Sequence, residues 1–239
     1  MNPQSAPQSS QQSNPKKRED ILEIPPKFRR ANTNRHNAAR IEAPPGSPGG
    51  SFEPAPPLYY DFIPSPLGPI GMVAHPEGLS FLRWSASESD LLDEIQRDTG
   101  FIPQKRPPRL DRWRRLLDRY FSGKKVRFNE PIFWMTGTPL QQRIWKKMSE
   151  IPYGEVRSYQ WIADHLKLGR AARAVGNACG RNPLPIVIPC HRVVHGDGTL
   201  GGYTGGLGIK RGLLAVERVY LTGDRIQNSK KGEVNVRYL

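Results

Sequence analysis

The apolar patterning of this chain begins abruptly near Leu58. Residues 1–57 are rich in Pro, Ser, Gln, Asn and Gly, as in Gln8-Ser9-Ser10-Gln11-Gln12-Ser13 and Pro44-Pro45-Gly46-Ser47-Pro48-Gly49-Gly50, and show no apolar period. Such a segment buries too little surface to offset the entropy of ordering its backbone. A disordered tail is therefore expected over residues 1–57, and any core must be built from Leu58 onward. The full length of 239 residues still leaves enough chain for one large domain or two small ones.

Lys and Arg outnumber Asp and Glu by 14. That balance favours a polyanionic partner, nucleic acid before an anionic membrane surface. The cluster Pro15-Lys16-Lys17-Arg18 reads as solvated tail, with a nuclear address or an auxiliary DNA contact as alternatives. Two cysteines argue against a disulfide scaffold and cannot by themselves supply a four-cysteine zinc site; no metal site and no cofactor are expected. No run approaches the roughly 18 apolar residues of a membrane span, and the N-terminus lacks the apolar core of a secretory signal. The expectation is a soluble, intracellular monomer, nuclear in a eukaryote and in the cytoplasm or nucleoid of a bacterium.

Residues 58–133 read as a small α+β scaffold. Tyr59-Tyr60-Asp61-Phe62-Ile63, Gly68-Pro69-Ile70-Gly71-Met72-Val73-Ala74 and Leu79-Ser80-Phe81-Leu82-Arg83-Trp84 are short strand-like runs separated by Pro and Gly turns, which suits an antiparallel meander. Leu91, Leu92 and Ile95 recur at helical spacing. Leu110, Trp113, Leu116, Leu117, Tyr120 and Phe121 outline a second amphipathic helix. No chemistry is expected from this half.

The pattern changes over residues 134–222. Thr138, Pro139 and Gln141 form a capping box with proline at the first helical position, followed by Leu140, Ile144, Trp145 and Met148 on one face. Ile151-Pro152-Tyr153-Gly154 stops that helix, and Ser158 caps the next, whose apolar members are Tyr159, Ile162, Ala163 and Leu166. After a turn at Gly169-Arg170, residues 171–179 form a third short helix, broken by Gly180, Asn182 and Pro183. Two short helices joined by a tight turn in a basic chain fit a helix-turn-helix, although many core helix pairs look the same. On the last helix Ala172, Val175 and Cys179 share an apolar side and Arg173 and Asn177 a polar one. Its small residues let a DNA strand approach closely, and Arg173 is either a phosphate or minor-groove contact or an ordinary solvated cation. Residues 223–239 form a charged tail of unreadable role.

Pro185-Ile186-Val187-Ile188-Pro189-Cys190-His191-Arg192-Val193-Val194 sets a cysteine beside a histidine after an apolar run. A thiol is about a few per cent thiolate near neutral pH, and a neighbouring base raises that fraction, so Cys190 is a candidate nucleophile. The competing reading is a small buried hydrophobe. In an extended segment Cys190 and His191 would point to opposite sides. The glycine-rich stretch 196–208 lacks the Gly-Lys-Ser/Thr ending of a phosphate-binding loop.

Read together, Gly154-Glu155-Val156-Arg157-Ser158-Tyr159, Ala172-Arg173-Ala174-Val175-Gly176, Arg181-Asn182-Pro183, Ile188-Pro189-Cys190-His191-Arg192-Val193 and Gly201-Gly202-Tyr203-Thr204-Gly205-Gly206-Leu207 resemble the O6-alkylguanine-DNA alkyltransferase family, also called methylated-DNA-protein-cysteine methyltransferases. The likeness covers residues 58–220. It implies a ribonuclease-H-like N-terminal domain with a small antiparallel sheet and helices, then a helical, winged-helix-type DNA-binding domain that carries the cysteine. The partner it implies is double-stranded DNA containing O6-alkylguanine, with O4-alkylthymine as a further substrate. The lesion leaves the base stack, because its alkyl carbon is otherwise out of reach of an in-line nucleophile.

The resemblance also implies roles. Cys190 takes the alkyl group irreversibly, once per molecule. His191 is its base through a water, Glu217 on a helix over residues 209–219 orients the imidazole, Tyr159 protonates the departing guanine and Asn182 braces the cysteine segment. Arg173 is the intercalating finger, on a DNA-contact helix with Ala172, Ala174, Gly176 and Asn177, and Tyr159 borders the same interface. Val193, Tyr203 and Thr204 line the pocket, with Val194 in pocket wall or core. On local grounds alone Tyr159 could be a packed helix residue and Asn182 an Asn-Pro turn.

Relatives that bind lesions without repair carry Trp in place of the cysteine; this chain keeps Cys190. Cys179 lies outside the implied chemistry and is expected in the core, with a Cys179–Cys190 disulfide as the alternative. Two other functions compete: a lesion-binding or transcription-regulating protein that transfers nothing, and a Cys-His hydrolase, for which no oxyanion hole is evident.

Overall fold

The computed structural model describes residues 57–227. The tail expected at 1–57 lies outside the described residues except for Pro57, and the tail expected at 223–239 does so only from Asn228 onward, because residues 223–227 pair into the final hairpin and bury Ile226. The N-terminal half opens with β1 (Tyr59–Ile63), β2 (Ile70–His75) and β3 (Gly78–Trp84), paired antiparallel in sequence order with a register shift between Val73 and Ala74. The meander is as the sequence predicts, with one addition. A two-residue β4 (Gln104–Lys105) joins the far side of β1 in parallel, so the sheet is mixed and its order is β3-β2-β1-β4. Gln-Lys carries no period that could announce a strand; its pairing is made by Gln104 N–H donating to Leu58 O and Arg106 N–H to Tyr60 O.

Two helices cover this sheet. α1 (Glu88–Thr99) starts at Ser87, whose hydroxyl accepts from Asp90 N–H, and stops at Gly100 in the left-handed region (φ 78°). α2 (Asp111–Phe121) buries Trp113, Leu117 and Tyr120. These spacings, i, i+4 and i+7, place one stripe toward the core.

The C-terminal half begins at α3 (Pro139–Ser149), where the Thr138–Gln141 capping box forms with Pro139 in the first turn. Ile144, Trp145 and Met148 are buried as expected, but Leu140 is 39% exposed. It shares the face of Ile144 and Met148 but lies in the first turn, at the exposed start of the helix. β5 (Arg157–Ser158) leads into α4 (Tyr159–His165), capped by Ser158 Oγ accepting from Trp161 N–H at 3.0 Å. α5 (Ala172–Gly180) follows after a turn containing Lys167 and Gly169 at positive φ. α4 and α5 are the helix-turn-helix pair.

A short 3-10 turn (Cys190–Arg192) runs into β6 (Val193–Val194), and α6 (Leu207–Val216) and the hairpin β7 (Leu221–Thr222) and β8 (Arg225–Ile226) complete the described residues. The segment around the cysteine is thus not extended. Residues in a 3-10 turn are separated by about a third of a revolution, and that rotation parts the Cys190 and His191 side chains. α6 ends at Val216, so Glu217 is its C-cap residue rather than a helical one.

One apolar cluster runs through both halves, from Ile70, Met72, Leu82 and Leu117 to Trp145, Val175, Ile188, Cys190 and Leu213. Leu82 N–H on β3 donates to Pro183 O at 2.9 Å, joining the sheet edge to the loop that precedes the cysteine. Fully burying a side chain of this size stabilises by about 1.5–3 kcal/mol, so the two halves support one another's core.

Candidate active site

Three local features deliver Cys190 to its position. Ile186, upstream of it, has φ 74° and is 1% exposed. A β-branched residue in that region is strained by about 1–3 kcal/mol, and the loop holds it there through Ile188 N–H donating to Leu184 O at 2.8 Å. Asn182 then clasps the segment: its Nδ2 donates to Ile188 O at 2.8 Å and to Cys190 Sγ at 3.1 Å, while its Oδ1 accepts from Leu184 N–H at 3.0 Å. Downstream, β5 and β6 pair in parallel, Arg157 with Val193 and Ser158 with Val194. That pairing brings the first residue of α4, Tyr159, into the cluster that holds the cysteine.

Cys190 is buried. Burial pushes its thiol up, while the Asn182 hydrogen bond, the Lys210 charge and the Tyr203 hydroxyl pull it back toward the thiolate. The Tyr203 hydroxyl faces the sulfur without completing a well-aligned bond and has no other partner among the described residues. Tyr159 is also pushed up, by burial first and then by the two thiols, so it stays a protonated donor. Gly201, at φ 65°, closes on this tyrosine: a Cβ there would lie 2.6 Å from the Tyr159 hydroxyl and 3.0 Å from His195 Nε2. Only glycine fits that approach.

His191 turns the other way and is fully buried. Its Nε2 lies 2.7 Å from Glu217 Oε1, and its Nδ1 makes no hydrogen bond among the described residues. Burial lowers the imidazole's pKa, which leaves a neutral ring with Nε2–H donated to the carboxylate and a lone pair on Nδ1. Glu217 is 2% exposed. Burial alone would raise its pKa, but His191 and Arg192 hold the carboxyl well below the usual range. Oε1 accepts from His191 Nε2, Tyr120 Oη at 2.8 Å and Arg192 Nη2 at 2.9 Å; Oε2 accepts from Arg192 Nε at 2.9 Å and Gly154 N–H at 3.0 Å.

The expected contact helix α5 presents Arg173 and Asn177 to solvent. Ala172, Ala174 and Gly176 are half-buried, and a Cβ at Gly176 would meet the Tyr159 ring at 3.8 Å. Its inner face is Val175 and Ala178, with Cys179 only partly covered, so the predicted apolar side is rotated by about one residue. Trp145 Nε1 donates to Ala178 O at 2.8 Å, which fixes that rotation. Val193 is fully buried, whereas Thr204 is exposed and its hydroxyl donates to Gly180 O at 2.9 Å, fastening the glycine-rich loop to the end of α5. The two thiols remain free cysteines.

Three participants escaped the sequence reading. Arg192 supplies two donors to Glu217 and a third to Ile151 O at 2.6 Å. Lys210 is 0% exposed, donates to Val193 O at 2.7 Å and to Leu200 O, and is lowered by burial to about 8. Tyr120 arrives from α2, in the half from which no chemistry was expected. A lysine on the helix position of an apolar residue is the one signal that could have been noticed.

Residues 58–133 match the profile of the 6-O-methylguanine DNA methyltransferase ribonuclease-like domain, and residues 139–219 that of the same family's DNA-binding domain. The chain is 44% identical to a methylated-DNA-protein-cysteine methyltransferase of Methanosarcina barkeri, covering 67% of this chain and 97% of that one. It is 34% identical to that of Haemophilus influenzae, over 72% and 93% of the two chains. The crystal structure of Mycobacterium tuberculosis O6-methylguanine methyltransferase superposes with a TM-score of 0.59 at 38% identity, over 70% of this chain and 96% of that one. The same organism's protein in complex with DNA gives 0.59 at 39% identity, over 67% and 92%. With a mixed-sheet domain followed by a helical one and this likeness along both, the chain belongs to the methylated-DNA-protein-cysteine methyltransferase family of DNA-repair alkyltransferases.

Proposed function

We propose that this protein repairs duplex DNA by taking the alkyl group of O6-alkylguanine onto Cys190, once per molecule. The observation that carries the reading is the arrangement of two opposed halves of one site: Cys190 Sγ held by Asn182 at 3.1 Å, and a neutral His191 whose Nδ1 is unpaired and whose Nε2 is anchored on Glu217. A base flipped out of the stack offers its alkyl carbon to the sulfur in line. The thiol proton passes to His191 Nδ1 through a bridging water, and Glu217 stabilises the imidazolium that forms. The S–C bond forms as the O6–C bond breaks. Tyr159, kept protonated, supplies a proton to the departing guanine anion and regains one from solvent as the imidazolium releases the thiol proton. The thioether that results has no leaving path, so the step is stoichiometric.

Arg173 and Asn177, exposed on a helix of small residues, support a minor-groove approach with Arg173 filling the gap left by the flipped base. The same in-line displacement extends to O4-alkylthymine. Intact-protein mass after incubation with an O6-methylguanine duplex is the test. One added methyl per chain, localised to Cys190, is expected; an unmodified Cys190 at complete lesion excess overturns the reading and leaves a lesion-binding protein.

A further inference from the structure

Every residue in the proposed transfer step comes from the C-terminal half, yet one buried titratable group in contact with them does not. Tyr120 is fully buried near the end of α2. Its hydroxyl donates to Glu217 Oε1 at 2.8 Å and lies 3.4 Å from His191 Nε2, which shares that oxygen. Its ring is packed edge-on against Phe121 and Tyr153, with Phe128 also adjacent. Phenylalanine would satisfy that apolar surround equally well. The hydroxyl is therefore there for Glu217, since a buried O–H without a partner is unfavourable.

The charged and titratable groups around the relay define what this hydroxyl does. Arg192 supplies the positive charge from the 3-10 turn, Lys210 adds a more distant one from α6, and Tyr153, following α3, sends its hydroxyl to Val216 O at 2.7 Å. Gly154 N–H takes Oε2. Tyr120 is the donor on Oε1 that carries no charge and comes from the sheet-bearing half. Burial pushes it well above its ordinary pKa, so it remains a donor throughout the working range. A donor on Oε1 draws electron density from the atom that binds the His191 proton. Without it the carboxylate holds that proton more strongly and favours imidazolium, and an imidazolium cannot receive the Cys190 proton.

We propose that Tyr120 is a positioning residue of the alkyl-transfer relay, holding Glu217 in place and setting its basicity so that His191 stays neutral. This rests on reading Cys190 as the alkyl acceptor. It makes the N-terminal half a working part of the site and ties reactivity to the docking of the two halves.

The test uses the full chain and the pH dependence of two reactions, methyl transfer from an O6-methylguanine duplex and direct methylation of Cys190 by methyl iodide, both read by intact mass. Tyr120→Phe is expected to slow both about 3–10-fold on the acid side, to move the midpoint of the acid limb up by about half to one pH unit, and to converge with the wild type at high pH. Site-specific Tyr120→3-fluorotyrosine, a more acidic donor with almost the same shape, is expected to move the limb down and covers the case in which the phenylalanine variant folds poorly. In a Glu217→Gln background neither change should shift the limb further. A rate loss of equal size at every pH, or an undiminished shift in that background, overturns the proposal and makes Tyr120 a packing residue. A wild-type chain that takes no methyl from the duplex overturns the alkyl-acceptor reading instead, while the methyl iodide limb still reports on Tyr120.

Discussion

Cys179 and Cys190 share one apolar cluster, and burial pushes both thiols up. Their surroundings diverge from there. Cys179 Sγ rests 3.4 Å from Met148 Sδ, a soft contact that does nothing for a thiolate. Cys190 has the Asn182 amide on its sulfur and the Tyr203 hydroxyl facing it. The Lys210 charge reaches both, so it is not what separates them. Burial makes a thiol inert, and aimed neutral donors are what set the proposed acceptor Cys190 apart from Cys179.

The comparison breaks most decisively at the sulfur itself. Cys190→Ala should abolish methyl uptake entirely, while Cys179→Ala keeps the full stoichiometry of one methyl per chain; uptake by the Cys190 variant would reverse the assignment of the two thiols. Next in size is Glu217→Gln, which removes the anion behind His191 and leaves Arg192 without its counter-charge. Transfer should fall by about 10²–10⁴-fold and stability by about 3–5 kcal/mol, measured by single-turnover kinetics and urea unfolding. The sign of the acid dependence follows from the depressed carboxyl. Its contribution is fully present above pH 4.5 and is lost as pH falls below that value toward the folded pKa. Glu217→Gln should therefore flatten the acid side of the stability curve.

Lys210→Met is the intermediate case, because it acts on both thiols. The folded lysine titrates near 8 and the free side chain near 10.5, so between those values the unfolded chain binds more protons and stability rises with pH. The variant should lose that rise, on the order of 2–3 kcal/mol across the window, in denaturant melts at pH 8 and pH 10.5. The smallest effect belongs to Cys179→Ala. It should cost about 1 kcal/mol of stability and leave the transfer rate within about twofold; a larger rate loss would mean that Cys179 shapes the pocket.

Local signals made much of this legible from the residues. The capping box at Thr138, the cap at Ser158, the strand runs of the meander and the stripe on α2 all depend on neighbours within one or two turns. The motif around Cys190, read with its flanks, pointed to the alkyltransferase family and through it to Asn182, His191, Glu217, Tyr159 and Tyr203. Where reading failed, the cause was non-local. The β4 strand exists only because Leu58 and Tyr60 offer carbonyls to it. The rotation of α5 is set by Trp145 on another helix. Leu140 stays exposed at the start of α3 although it shares a face with Ile144.

The sequence by itself determined which segments fold locally, where they stop, and which thiol is the candidate acceptor, because propensity, capping and a cysteine motif with its flanks are encoded within a few residues. Only the tertiary structure decided how that thiol is surrounded. The 3-10 turn sends Cys190 toward Asn182 and Tyr203 and His191 toward Glu217. The buried carboxylate there is ionised because five donors converge on it from residues as distant in the chain as Tyr120, Gly154 and Arg192. A buried charge must be met from every side at once, and no local pattern in a chain records which remote residues will meet it.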